Sequence, residues 1–112
     1  MTRNEPNSEH QEKVDQIDRT IHSPTRLKIL IVLAAVVNAD FTFLANSTGL
    51  TRGNLSANLR KLEEVGYVSI EKGFVGRVSQ TLVQLTDEGR SALEGYYENM
   101  SKILDDLKGN FS

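Results

Sequence analysis

Hydrophobic positions recur along this chain with two different periods, and the changes between them divide it into elements. Val14, Ile17 and Ile21 are spaced by three and four, which predicts a short amino-terminal helix with one apolar stripe. Ser23 is a helix cap and Pro24 a first-turn proline; the apolar run behind them predicts a central core helix over 24–37. A short apolar helix is expected over 43–48, with Thr42 as its cap, Gly49 as a left-handed stop and Leu50 as a buried elbow. Thr51 caps the next helix, where Leu55, Leu59 and Leu62 fall on one stripe, and Gly66 stops it. The period then changes to two. Val68 and Ile70 alternate inward, as do Val83 and Leu85 on a returning strand, and residues 40–42 allow a short third strand beside them. Thr86 caps a last helix, with Asp87 and Glu88 placed favourably on its dipole.

Two helices joined by a tight glycine turn, the second polar and basic on its free face, form the arrangement that presents a helix to the DNA major groove. The expected fold is therefore mainly α, of the α+β class: a winged helix-turn-helix with a two- or three-stranded β wing and helical extensions at both termini. The candidate recognition helix spans 51–65. Its free positions are Thr51, Arg52, Asn54, Ser56, Ala57, Asn58, Arg60 and Lys61. Arginine makes paired hydrogen bonds to guanine, asparagine to adenine, and serine bonds either base or phosphate. The small Gly53 and Ala57 permit close approach to a groove. An ordinary solvated helix face has similar composition, so the weight rests on the position of this face after a short helix and a glycine turn.

The segment 71–80 carries two glycines, with Lys72, Arg77 and Gln80 expected at or beside the loop tip. A basic loop over 72–80, next to a recognition helix, reads as a wing that reaches phosphate or the minor groove; the alternative is a connecting loop with incidental charges. Phe74 and Val75 are expected to pack back on the ribbon, or to meet a partner protomer or sugar edges. Arg26 and Lys28 could touch phosphate near the amino end of the helix over 24–37, although intramolecular pairing is the favoured use of Arg26.

The last helix, over 87–111, carries Leu93, Tyr97, Met100, Leu104, Leu107 and Phe111 at alternating spacings of four and three, widened by Tyr96 and Ile103. That seam is longer than a small wing domain covers. It is expected to form a dimer interface, joined by Val14, Ile17 and Ile21; the alternative is packing on the chain's own first helix. The expected organisation is a flexible tail over 1–10 and one domain over 11–112.

Composition sets limits. At 112 residues, with 6% aromatics and no tryptophan, the chain builds one modest aliphatic core. Cysteine is absent, which excludes disulfides and thiolate metal sites and agrees with a reducing cytoplasm. No run is apolar enough for a membrane span, and no signal-peptide core is present. The formal net charge of −2 opposes a polyanionic partner. Its distribution reverses that locally: residues 51–80 carry an excess of two positives, whereas 1–20 and 86–112 are net negative. Over a Debye length of about 10 Å the local field governs.

The run from Ile21-His22-Ser23-Pro24-Thr25-Arg26 through Gly49-Leu50-Thr51, Asn54-Leu55-Ser56, Leu59-Arg60-Lys61-Leu62-Glu63-Glu64 and Gly66-Tyr67-Val68 to Leu85-Thr86-Asp87-Glu88-Gly89-Arg90 resembles winged-helix transcriptional regulators of the MarR and ArsR groups. The resemblance covers roughly 21–108 and implies a dimeric DNA-binding regulator whose helix 51–65 reads the major groove. ArsR-like proteins often carry histidine where this chain has Asn58, which keeps a polar contact possible and leaves its target open.

Catalysis is not expected. No nucleophile–base pair, phosphate-cradling glycine loop or carboxylate pair stands out. His10 lies in the expected tail and His22 beside a helix cap. Two histidines without cysteine argue against a metal sensor, although acidic residues could assist a low-affinity site, so no cofactor or metal is expected. The expected partners are double-stranded DNA and a second copy of the chain. A small-molecule effector is compatible with an interface cleft lined by Tyr96 or Tyr97, though no residue pattern specifies one. The competing reading is a winged-helix protein-interaction module without DNA binding, suggested by the acidic balance and the apolar wing tip.

Overall fold

The computed structural model describes residues 8–111. Helix α1 (Ser8–Asp15) is followed by α2 (Pro24–Ala34), strand β1 (Ala39–Asp40), α3 (Phe41–Thr48), α4 (Arg52–Glu64), β2 (Val68–Val75), β3 (Val78–Leu85) and α5 (Asp87–Gly109). The strands form one antiparallel sheet in the order β1-β3-β2. This is a winged helix-turn-helix, with α3 and α4 as the helix pair and β2–β3 as the wing.

Local chemistry explains most boundaries. Ser23 Oγ accepts from the Arg26 amide and starts α2. Helix α3 begins earlier than its pattern predicts, because Asp40 rather than Thr42 is the cap: Asp40 Oδ1 accepts from the Phe43 amide at 2.7 Å. The third strand is correspondingly shorter, and Phe41 and Thr42 lie in the helix. Gly49 ends α3 at φ 74°, and Thr51 Oγ1 caps α4 at the Asn54 amide. The end of α4 is a Schellman motif: Gly66, at φ 83°, donates to the Glu63 carbonyl and Tyr67 to that of Leu62.

Three expectations about the helices are corrected. Residues 8–10, assigned to the tail, form the first turn of α1; the rest of that tail lies outside the described residues. Helix α1 stops at Asp15, so Val14, Ile17 and Ile21 do not share a helix stripe. Asp18 Oδ1 accepts from the amides of Thr20 and Ile21, a local turn that competes with helix and folds the chain back. Helix α2 ends at Ala34 instead of 37, as the Ala35 and Val36 amides tighten onto carbonyls three residues back and deliver Ala39 into the sheet opposite Val83.

The core lies between α2, α3, α4 and the inner face of the sheet. Ile29, Leu30 and Leu33 of α2 meet Leu44, Leu55, Leu59 and Leu62, with Val68 and Val83 closing the layer. Each of these aliphatic side chains contributes about 1.5–3 kcal/mol by leaving water. Leu50 is half-buried at the elbow. Helix α2 is apolar nearly all round but is not covered all round: Ile31 is exposed.

Helix α5 has 23 residues, a length of about 34 Å. Its root is fastened to the sheet by Thr86, whose hydroxyl accepts from the Gly89 amide and donates to the Gly66 carbonyl at 2.6 Å. Further along, α1 lies against it: Lys13 Nζ and Asp106 Oδ2 are 2.9 Å apart, and Asn99 donates to the Lys13 carbonyl. Tyr67 donates its hydroxyl proton to Asp18 at 2.5 Å, joining the start of the wing to the turn after α1. That hydrogen bond, partial burial and the charges of Asp18 and Glu88 push the Tyr67 phenol up to about 12.

Candidate nucleic-acid interface

Helix α4 has two polar stripes flanking a line of small residues. With Leu55, Leu59 and Leu62 buried, helical geometry places Arg52, Ser56 and Arg60 on the stripe facing the wing, and Asn54, Asn58 and Lys61 on the opposite stripe. Gly53 and Ala57 lie between them, so the outermost part of the first turns has little side-chain bulk. Thr51, Arg52, Asn54, Ser56, Ala57, Arg60 and Lys61 are exposed; Asn58 is half-buried.

The wing-side stripe borders an open groove of about 1040 Å³. Arg52, Gly53, Ser56, Arg60 and Glu63 form its helical wall, Lys72, Gln80 and Thr81 its ribbon wall, and Phe41 and Thr42 its end. Three cations thus surround one concave surface, against Asp40 and Glu63. The Asp40 carboxylate already serves as the α3 cap. Arg52 is held over the Phe41 ring at 4.7 Å, a cation–π contact that orients its guanidinium beside the groove. Nothing in local spacing announces that contact, because Phe41 belongs to another helix.

The wing differs from its expected shape. The ladder continues to Val75 opposite Val78, so the connection is the two residues Gly76-Arg77. Gly76 at φ 65°, with no positive φ at Arg77, gives the sign pattern of a type II′ hairpin turn. Arg77 is therefore at the tip, while Lys72 and Gln80 are not: they stand within the ladder, opposite Thr81 and Gly73 respectively. Phe74 and Val75 do not pack back on the ribbon. Phe74 is 74% exposed, and Val75 and Val78 are also open.

On the other stripe of α4, Asn58 is engaged. Its Oδ1 accepts from Arg26, and its Nδ2 donates to the backbone and side-chain oxygens of Asn54. Arg26 indeed has intramolecular partners, and Lys28 is turned to the Thr48 carbonyl at 3.1 Å. The partnership of Arg26 with Asn58 joins residues 32 apart and had no local signal.

The residues expected at a dimer interface separate into groups. Ile21 is 0% exposed and belongs to the chain's own core, which removes it from any interface. Leu93 and Tyr96 are half-buried against that core. Ile17, Met100 and Ile103 are half-buried. Val14, Tyr97, Leu104, Leu107 and Phe111 are exposed, Tyr97 at 72% and Phe111 at 77%. Tyr96 also lines a smaller concavity of about 410 Å³ with Asp18, Asn99 and Lys102, and its hydroxyl lies 2.9 Å from His22 Nδ1; Tyr97 takes no part. Among the described residues, no group of three or more potential metal ligands occurs, and no helix is long and apolar enough to cross a membrane.

A helix pair presenting a basic face beside a β wing defines a winged-helix DNA-binding protein. Residues 25–104 match the family described as the winged helix DNA-binding domain, and the chain belongs to that family. An uncharacterized protein of Methanocaldococcus jannaschii is 38% identical over 91 residues, 80% of this chain and 98% of that protein. The structure resembles that of a transcriptional regulator homologue from Pyrococcus horikoshii OT3, at TM-score 0.79 and 28% identity, covering 88% of this chain and 97% of that one. MarR has the same fold, at TM-score 0.70 and 17% identity over 94% of this chain and 77% of its own. The chain is thus a winged-helix DNA-binding domain protein.

Proposed function

We propose that this protein is a homodimeric, sequence-specific regulator of transcription that acts in the cytoplasm on double-stranded DNA. Helix α4 enters the major groove, and the wing lies on the backbone or in the minor groove. The observation that carries this reading is the groove between α4 and the ribbon, where Arg52, Arg60 and Lys72 face a common space and Ser56 lies among them. Phosphate neutralisation supplies much of the affinity for DNA. A chain of net charge −2 therefore depends on this local concentration of cations. The exposed apolar residues of α5 support assembly with a second copy, which would set two recognition helices on half-sites about 34 Å apart.

A titration of the intact protein with duplexes from its own upstream region, repeated over several salt concentrations, tests the reading. Specific binding that weakens steeply with salt supports it. Equal, salt-insensitive affinity for every duplex would overturn it and favour a protein-interaction module.

A further inference from the structure

Arg26 begins a chain of hydrogen bonds whose direction is dictated by donor chemistry. A guanidinium donates and never accepts. Its Nη1 lies 3.2 Å from the Asn58 side chain, so the Asn58 amide must turn its oxygen to Arg26 and its nitrogen away. That nitrogen donates to the Asn54 backbone oxygen at 2.9 Å and to Asn54 Oδ1 at 2.7 Å. The side-chain oxygen of Asn54 thus accepts one bond from within the protein and is turned inward by it. Among the described residues nothing takes the protons of Asn54 Nδ2, and Asn54 is exposed in the first turn of α4.

The Arg26 end of the relay is fixed. Arg26 Nε donates to the Thr20 carbonyl at 2.6 Å, which prevents the guanidinium from swinging outward. At the other end, the Asn54 backbone N–H donates to Thr51 Oγ1 at 3.1 Å, which sets the backbone from which the Asn54 side chain leaves. A free asparagine reads adenine through its oxygen and nitrogen together. Asn54 has one oxygen lone pair engaged inward and both Nδ2 protons free, so what it offers outward is biased toward donation. In the major groove, guanine presents two acceptors, thymine one, adenine one beside a donor, and cytosine a donor only.

We propose that the Arg26–Asn58–Asn54 relay makes Asn54 a donor-biased base reader that prefers guanine to cytosine. Arg26 and Asn58 are positioning residues, setting this preference without needing to touch DNA. The inference rests on α4 being the recognition helix.

Selection from a pool of duplexes with randomised half-sites tests it. Asn54→Ala marks the position that Asn54 reads, because only there does the base preference collapse. At that position the unaltered protein is expected to enrich guanine over cytosine by at least about fivefold, the discrimination of one good contact. Asn58→Asp keeps a partner for Arg26 but offers Asn54 only acceptors. Asn54 then turns its nitrogen inward and its oxygen outward, and the same position should change to adenine or cytosine.

A preference for adenine or cytosine with the unaltered protein, or an unchanged preference in a folded Asn58→Asp variant, would overturn the relay and leave DNA binding intact. Failure to enrich any duplex would overturn DNA binding and the relay with it. Should Asn58→Asp not fold, the selection with the unaltered protein still decides. Hydrogen exchange in the free protein gives a further readout: the Asn58 side-chain amide protons should be protected relative to those of Asn54, and equal exchange would contradict the relay.

Discussion

Gly89 lies so close to the Tyr67 carbonyl that a β-carbon added at Gly89 would stand 2.1 Å from that oxygen. This contact, together with the Thr86 hydroxyl between Gly66 and Gly89, sets where α5 leaves the sheet. Gly89→Ala must push the helix root from the start of β2. The expected loss is about 1–3 kcal/mol or more, as for other overpacking changes. Thermal unfolding should show a Tm lower by at least about 4 °C, and an unchanged Tm would mean that α5 docks less tightly than the structure has it.

The Tyr67–Asp18 hydrogen bond gives a pH dependence with a definite sign. The folded phenol is pushed up to about 12, above its ordinary 10.0, so folding favours the protonated form. The stabilisation is complete below about pH 10 and is lost as pH rises from there through about 12. Ultraviolet titration should show one tyrosine ionising late in the native protein, and Tyr67→Phe should abolish that late step. The substitution should also cost about 1.5–3 kcal/mol, as for a hydrogen bond to a charged group.

The exposed seam of α5 predicts an oligomeric state. Leu104→Glu places a charge among Tyr97, Leu107 and Phe111 without entering the core, since Leu104 is itself exposed. The variant should keep its helical content yet run as a monomer in light scattering where the parent is a dimer, with its Tm lowered by the contribution of dimerisation. A monomeric parent at the same concentration would end the dimer reading.

The helix-turn-helix was legible because its signals are local. Gly49, Thr51 and the Leu55, Leu59, Leu62 stripe each act within a turn of chain, and each has its expected place. Elements decided by competition between local signals depart from their patterns. Ile17 and Ile21 continue a helical pattern, yet Asp18 offers the backbone another set of hydrogen bonds and wins. Asp40 outcompetes Thr42 as a cap because its carboxylate reaches the Phe43 amide. Two glycines within 71–80 permit a loop of either length, and the structure makes the turn at Gly76 while the ladder passes through Gly73. Contacts between distant elements left no trace in spacing: Arg52 over Phe41, and Arg26 on Asn58.

The most direct test of the DNA-binding face compares variants of its two walls by fluorescence anisotropy, on a selected site and on random duplex over a salt series. Arg52→Ala on α4 should cost about 1–3 kcal/mol on the selected site and much less on random DNA. Lys72→Ala combined with Arg77→Ala on the wing should weaken both duplexes alike and flatten the salt dependence by roughly two units of slope. All three side chains are exposed, so melting should change little. If both variants remain folded and bind both duplexes with unaltered affinity and slope, the face between α4 and the wing is not where this protein holds DNA.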